Sequence, residues 1–224
     1  MGLDYRLRKL GSRDKAQLNF ITDKEKVLPP GGPTIWAYLE ELFKKRRINA
    51  LLGVELTRLD ADNLYFEDGS KKPYNLCLLI PPYRGVKEVE DSGLTEELGF
   101  IPVEQNTMRA QKSENSNIYA VGDAAAIPGP KQGHLALMQA GVAAAHIAWR
   151  INRKGEVPSY LPEFKCVMYL GGGKSLQLYS QWMSDGDVQI AKASRQAELS
   201  KIKFEKLFFR HRGNIGELHR KMIK

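Results

Sequence analysis

Apolar residues recur along this 224-residue chain with a period that switches repeatedly between helix and strand. Leu3, Leu7 and Leu10, at i, i+4 and i+7 with Gly11 behind them, predict a short helix and its stop. Residues 17–22 read as a strand, 28–33 as a Pro/Gly-rich loop, and 34–47 as a helix with Ile35, Leu39 and Leu42 on one face. A strand follows over 50–54, then a hairpin that starts at Leu64 to Phe66 and turns at Asp68-Gly69. The apolar run 74–80 predicts a buried strand stopped by Pro81-Pro82, and 85–106 is loop-rich. Residues 117–124 read as a short strand ending in Gly122-Asp123, followed after a loop by a long helix over about 132–152 whose apolar face is Leu135, Met138, Val142 and Trp149. Beyond a linker at 155–162, two strands, 164–169 and 175–181, flank Gly171-Gly172-Gly173-Lys174. Strand, helix and strand followed by a hairpin predict a mixed α/β, nucleotide-binding type of domain. The pattern opens on a helix with no strand before it, so the first domain is expected to be incomplete at its start.

Hydrophobic residues at 42% and charged residues at 27% exclude wholesale disorder. Apolar runs such as 76–82 are far shorter than the ~18–20 residues that cross a bilayer. Charges at Asp4, Arg6, Arg8 and Lys9 leave no apolar core for a secretory signal in the first residues. Cys77 and Cys166 build no disulfide framework and no Cys-x-x-Cys zinc site, so a reducing, cytosolic compartment is expected. The four histidines are too scattered for a metal triad, and no metal is expected.

Charge sharpens this picture at one end. Of the net +8, residues 191–224 carry +7, with ten Lys/Arg against three acids. Such a segment meets an acidic partner, whether nucleic acid, an anionic membrane or an acidic protein, or it is simply a solvated helix face. Along a helix through it, Leu199, Ile202 and Phe209 fall on one side and Phe204, Leu207 and Phe208 towards the other. One side can pack on the protein while the other meets lipid. Ile215, Leu218 and Met222 predict a further amphipathic helix.

The strongest local chemistry is the strand end Val121-Gly122-Asp123. Glycine there admits a ligand to the backbone, aspartate accepts hydrogen bonds from hydroxyls, and the free N–H groups of the next helix suit an anion or a polarised carbonyl. The same dipeptide also makes a common turn. Gly171-Gly172-Gly173-Lys174-Ser175 imitates a phosphate loop, but Met168 stands where a glycine is needed and Leu176 and Leu178 alternate with polar residues, which predicts a hairpin. Cys166, in an apolar strand, is by itself a packed thiol, and Cys77 is core.

Asn117-Ile118-Tyr119-Ala120-Val121-Gly122-Asp123 resembles the second FAD-binding motif of the pyridine-nucleotide disulfide oxidoreductase superfamily. Within it the chain is similar to the sulfide:quinone oxidoreductases. Pro81-Pro82-Tyr83-Arg84-Gly85, Pro130-Lys131-Gln132-Gly133, Cys166 before a hairpin and Lys201-Ile202-Lys203-Phe204-Glu205-Lys206 match in order, nearly end to end. The resemblance implies an α/β fold, a partial two-domain dinucleotide-binding (Rossmann-like) flavoprotein without its N-terminal part, closed by a β-hairpin and amphipathic helices. Residues 1–86 would be the second nucleotide-binding-like domain, 87–160 the C-terminal part of the FAD domain, and 161–224 the hairpin and basic quinone-site helices. Asp123, beside Gly122, would bind the ribityl chain of FAD, and Lys131 and Gly133 would face the pyrimidine end of its ring. Cys166 would be one of two redox cysteines shuttling sulfur, with Lys201 and Phe204 lining the quinone pocket. Sulfide, a membrane quinone and an anionic membrane surface would be the partners, with monotopic attachment on the cytoplasmic side and a homo-oligomer left open.

Departures from the family pattern qualify those expectations. No Gly-x-Gly-x-x-Gly and no second redox cysteine occur, so the chain reads as the C-terminal portion of such an enzyme, and one cysteine does not close a two-cysteine cycle. A type II NADH:quinone dehydrogenase is the nearest neighbouring reading, and a truncated, non-catalytic nucleotide-binding module is the alternative from another class. No nucleic-acid-binding motif accompanies the basic tail.

Overall fold

The computed structural model describes residues 1–28, 32–112, 117–156, 159–181 and 189–211. The chain forms two compact units, one of Met1–Leu79 with the residues from Lys165 onward, the other of Ile80–Phe164. This partition differs from the three consecutive segments 1–86, 87–160 and 161–224, because the chain returns at Lys165 to the unit it began.

The first unit opens with helix α1 (Gly2–Lys9). Gly11, at φ +65°, ends it: the N–H groups of Gly11 and Ser12 donate to the carbonyls of Arg8 and Leu7, satisfying the last turn. Its inward residue is not the expected leucine stripe, for Leu3 and Leu10 are exposed and Asp4 is buried. Asp4 accepts from Arg13 (2.7 Å), Arg8 (3.1 Å) and Arg46 (3.3 Å), and a carboxylate so paired is admitted to an interior that an unpaired one is not.

Strand β1 (Leu18–Ile21), helix α2 (Gly32–Arg46) and strand β2 (Ile48–Leu51) make a βαβ unit, with β1 and β2 parallel. Helix α2 buries Ile35, Leu39 and Phe43, not Leu42. The i+4 spacing wins because Phe43 meets Phe20 of β1 edge-on, ring centroids 5.4 Å apart. Strands β3 (Leu56–Leu59), β4 (Asn63–Phe66) and β5 (Lys71–Pro73) form an antiparallel meander. Its β4–β5 turn is at Asp68-Gly69, as the sequence predicts: Gly69 takes φ +79° and Asp68 Oδ1 accepts the Ser70 N–H.

After the second unit the chain adds β6 (Glu163–Gly171), β7 (Lys174–Gln181) and β8 (Gln189–Ser194) in one sheet, then helix α5 (Arg195–Arg210). The triglycine segment is therefore a hairpin turn. A Cβ at Gly171, whose φ is +90°, would overlap Tyr5. We expect Gly171→Ala to cost on the order of 2–4 kcal/mol in urea unfolding, from backbone strain plus overpacking. Ser194 caps α5 by accepting the Ala197 N–H at 3.1 Å. Ala197 is buried and Phe204, Leu207 and Phe208 are half-buried, while Leu199, Ile202 and Phe209 face outward. The two-sided helix read from the sequence is present; the expected helix carrying Ile215, Leu218 and Met222 lies outside the described residues.

In the second unit, a short helix α3 (Lys87–Glu90) precedes a core built from Ile101, Val103, Met108, Ala110, Ala120, Ala125 and Ile127 with Val142 and Ala143. The last two lie on helix α4 (Gly133–Asn152). Its buried face is Leu135, Gln139, Val142, Ala143 and His146, with Met138 half-buried and Trp149 37% exposed. The face is rotated from the expected one because Gln139 and His146 find polar partners inside.

Two expected strands are missing. Residues 74–80 form no ladder among the described residues, and Leu76, Leu78, Leu79 and Ile80 are 64%, 77%, 50% and 80% exposed. An unbroken apolar run marks a strand covered on both faces, and nothing among the described residues covers this one. Residues 117–121 likewise shrink to one antiparallel bridge, Arg109 to Tyr119. No helix among the described residues is long and apolar enough to cross a membrane.

Candidate functional site

The residues singled out by the sequence fall into two groups, one in each unit. In the second unit, Val121 is extended and Gly122–Ala124 make a single 3-10 turn. Gly122 has φ +63°, and a Cβ there would stand 3.0 Å from the Cβ of Ala136 on α4. Glycine therefore lets this turn sit directly on the helix. The Gly122 N–H donates to Gln139 Oε1 at 2.6 Å, and Gln139 Nε2 donates to the Tyr160 hydroxyl at 2.9 Å. One buried amide thus fixes the turn to α4 and to the segment after it. Burial pushes the Tyr160 hydroxyl up, and the bond from Gln139 pulls it back only in part. We expect Gln139→Leu to cost on the order of 2–3 kcal/mol in urea unfolding, since both partners are left unpaired. Tyr160→Phe should cost less, and a double-mutant cycle should show the two coupled.

The crevice between Gly122 and α4 is lined by Ile127, Pro128, Pro130, Lys131, Gln132, Ala136 and Tyr160. It is too tight for a three-ring cofactor, as Gln139 takes the Gly122 N–H and the Lys131 ammonium turns to the Ala125 carbonyl. That ammonium also lies 4.4 Å from the Phe100 ring centre; burial lowers its pKa, against the opposing pull of Asp123. Lys131 is thus directed into its own unit. Asp123 and Gly133 instead are exposed, on an open face at the start of α4. At that helix start Gln132 Oε1 is buried with no hydrogen-bond partner among the described residues. A donor is what the position lacks, and a ligand N–H or O–H fits it. Gln139 escapes the sequence reading, and Gln132 enters it only inside the Pro130-to-Gly133 match, with no role of its own. Only the proximity of Gln132 to the Lys131-to-Gly133 helix start pointed there.

Further along α4, His146 is buried and its Nδ1 lies 3.0 Å from the Tyr119 hydroxyl. Burial, then the charges of Arg150 and Arg109, hold the imidazole below its ordinary pKa.

The first unit holds Cys166, Lys201 and Phe204. Cys166 is a half-buried free thiol on β6. Burial pushes it up, and the Lys201 ammonium on α5 pulls it down without cancelling that. Lys201, expected at a quinone pocket, is therefore also the cation acting on the thiol, whereas Lys165, the neighbour in sequence, lies over the Tyr179 ring at 5.7 Å. Phe204 is half-buried, its ring centre 6.2 Å from that of Phe208. On the outer side of α5 an open groove is lined by Leu199, Ile202 and Leu207 with Lys203, Lys206 and Arg210. No cluster of metal-ligating side chains occurs among the described residues.

A family model described as pyridine nucleotide-disulphide oxidoreductase matches residues 6–145, more than half of the chain. The chain belongs to that family. Its fold is that of the X-ray structure of the sulfide:quinone oxidoreductase from Aquifex aeolicus, with a TM-score of 0.82 at 22% identity, covering 95% of this chain and 53% of that one. In sequence it is similar to the mitochondrial sulfide:quinone oxidoreductase of Schizosaccharomyces pombe, 28% identical over 140 residues, 60% of this chain and 30% of that protein. A ferredoxin–NADP reductase of Anaplasma phagocytophilum is 36% identical over 108 residues, 43% of this chain and 31% of that protein. The chain spans about a third of the length of these curated relatives and about half of the Aquifex structure. The α/β, dinucleotide-binding fold class expected of this pyridine nucleotide-disulphide oxidoreductase is thus the one it has.

Proposed function

We propose that this chain is the portion of an FAD-dependent sulfide:quinone oxidoreductase that carries one redox cysteine, one side of the flavin site and the quinone-side helix. The observation that carries the reading is in the first unit. A half-buried Cys166 is under the influence of Lys201, and the same helix turns an open apolar groove rimmed by Lys203, Lys206 and Arg210 outward. A thiol that reacts as thiolate, under the charge of a helix that also bears an apolar slot with cationic edges, suits sulfur chemistry coupled to a lipid-dissolved acceptor.

Bound FAD would supply the two-electron transfer from sulfide-derived sulfur to the quinone. Asp123, an exposed carboxylate, would accept hydrogen bonds from the hydroxyls of the ribityl chain. Gly122 keeps that turn against α4, Gly133 leaves the helix N-terminus open, and Gln132 offers the unused acceptor. Lys131 adds a positive charge behind this face. Lys201 and Phe204, which the lining of the outer groove does not include, would border the quinone on the Cys166 side of α5. Outward Leu199, Ile202 and Phe209 would enter an anionic bilayer surface, where each nearby Lys or Arg adds ~1 kcal/mol of attraction.

Isolated in detergent from cells that make it, the protein should carry a visible flavin absorbance, bleach with sulfide and recover with a quinone. Bleaching by NADH but not sulfide would move the reading to the NADH:quinone branch. A preparation that stays colourless when FAD is added would end it.

A further inference from the structure

His146 is a buried titratable side chain to which the proposed chemistry gives no task. It lies on α4, 8% exposed, with the Trp149 indole stacked within 15° of parallel at 5.9 Å and the Tyr119 ring at 5.7 Å. Its Nδ1 stands 3.0 Å from the Tyr119 hydroxyl, which Arg150 Nη1 of the same helix approaches to 3.4 Å. A guanidinium only donates, so the phenolic oxygen accepts from Arg150. The single phenolic proton has no other acceptor among the described residues and goes to Nδ1. The imidazole is therefore neutral here, with its own proton on Nε2.

Its surroundings oppose a second proton. Arg150 on α4 and Arg109, the bridge partner of Tyr119, both act on the ring, and the acid set against them is Glu104. That carboxylate already accepts from Arg109 at 3.3 Å and from Thr107 at 2.8 Å. A proton on Nδ1 would face the phenolic O–H and set a third cation beside two guanidinium groups. Burial first, then those two charges, hold the imidazole below its ordinary pKa.

Tyr119 leads through Ala120 and Val121 into the Gly122-Asp123 turn. Side chains of α4 hold this stretch at two points, the Tyr119 hydroxyl and the Gly122 N–H, through His146 and Gln139 on the helix's buried face. The amide of Gln139 does not titrate, whereas an imidazole does so near neutrality.

We propose that the His146–Tyr119 contact is an acid-released latch: protonation of His146 breaks its bond from Tyr119 and frees residues 119–123 from the C-terminal half of α4. Asp123 rides on the freed segment. The latch stands without a flavin, and only its bearing on the role of Asp123 rests on the flavoprotein reading. Linkage fixes the direction. The closed state binds the proton more weakly than the open one, so the latch is at full strength above the ordinary value of about 6.5 and weakens as pH falls from there.

The test is amide hydrogen exchange on the full chain at about pH 7.5 and about pH 5, with rates corrected for the intrinsic effect of pH. In the wild-type chain, protection at 119–123 should fall about fivefold or more at the lower pH, while that of the β6–β7 hairpin holds. His146→Phe keeps a ring against Trp149 and cannot titrate, so its protection at 119–123 should be the same at both pH values. Tyr119→Phe should be unlatched already, with low protection at both. Wild-type protection that ignores pH, or a fall that His146→Phe shares, overturns the latch. If His146→Phe does not fold, the imidazole itself decides: its NMR titration should run below about 6.5 and in step with the amide shifts of 119–123. Titration at or above that value, or out of step, overturns the latch as well. Colour separates the two claims: a latched but colourless chain sinks the flavoprotein reading alone, and a yellow protein whose 119–123 protection ignores pH sinks this one alone.

Discussion

Replacing Cys166 with serine should leave the flavin-loaded protein unbleached by sulfide. Joining the Cys166 sulfur to sulfide sulfur as a persulfide releases two electrons, which bound FAD would take up; the thiolate is the reacting form of the cysteine, and a serine hydroxyl at the same place on β6 forms no such sulfur–sulfur bond. The side chain is half-buried, and burial raises its pKa above the ordinary thiol range while Lys201 opposes the rise. The reactive fraction at neutral pH is therefore small and grows as the pH climbs. In wild-type protein the bleaching rate should increase into the alkaline range, and Lys201→Gln should move that rise to higher pH by removing a cation that favours the thiolate. The flavin content and melting temperature of Cys166→Ser should match wild type, since oxygen for sulfur is a small change. If the serine variant bleaches at the parental rate, Cys166 is a packed core thiol and the electrons leave sulfide elsewhere.

How far the sequence could be read depended on how local the determining physics was. The turn at Asp68-Gly69, the stop at Gly11 and the hairpin at Gly171–Gly173 depend on a few adjacent residues and were legible as such. So was the division of α5 into a packed side and an outward side, because helical spacing alone sorts Phe204 and Phe208 from Leu199, Ile202 and Phe209, although Leu207 also reaches the outer groove. Residues 74–80 defeat the same method for a physical reason. Strand-forming residues make a strand only when another strand is present to bond to, so their composition was read correctly and their state was not. Inward polar residues were the other blind spot. Asp4, Gln139 and His146 occupy buried helix positions because partners distant in sequence, Arg46, Tyr160 and Tyr119, satisfy them. Helical periodicity assigns such positions to leucine. The influence of Lys201 on Cys166 is of this kind too, as it brings a strand and a separate helix together.

Asp4→Ala should be the most destabilising single substitution in the first unit, by about 3–5 kcal/mol. The carboxylate is 1% exposed and accepts from three guanidinium groups, of which Arg13 is itself buried, its side chain 7% exposed. Those groups do further work: Arg13 donates to the carbonyls of Ala16, Arg46 and Arg47, and Arg46 to that of Leu170 on β6. Without Asp4, Arg13 is an uncompensated buried charge, and the ties joining α1, the end of α2 and β6 lose their common anchor. The cost should therefore rank by burial. Arg13→Ala should approach Asp4→Ala, whereas Arg8→Ala, at a side chain 43% exposed, should cost about 0.5–1 kcal/mol. Acid gives an independent check. Burial by itself raises the Asp4 pKa, but the bonds from Arg13 and Arg8 and the charges of Arg8 and Arg46 outweigh it and hold the carboxyl below its ordinary value. A depressed folded-state pKa stabilises fully above the unfolded value of about 3.9, and that stabilisation drains away as pH falls through the lower, folded value. Urea midpoints of wild type should consequently fall more steeply than those of Asp4→Asn once the pH drops below about 4. Equal acid sensitivity in the two, together with a neutral-pH cost for Asp4→Ala under about 1 kcal/mol, would mean that the guanidinium cluster holds without its carboxylate.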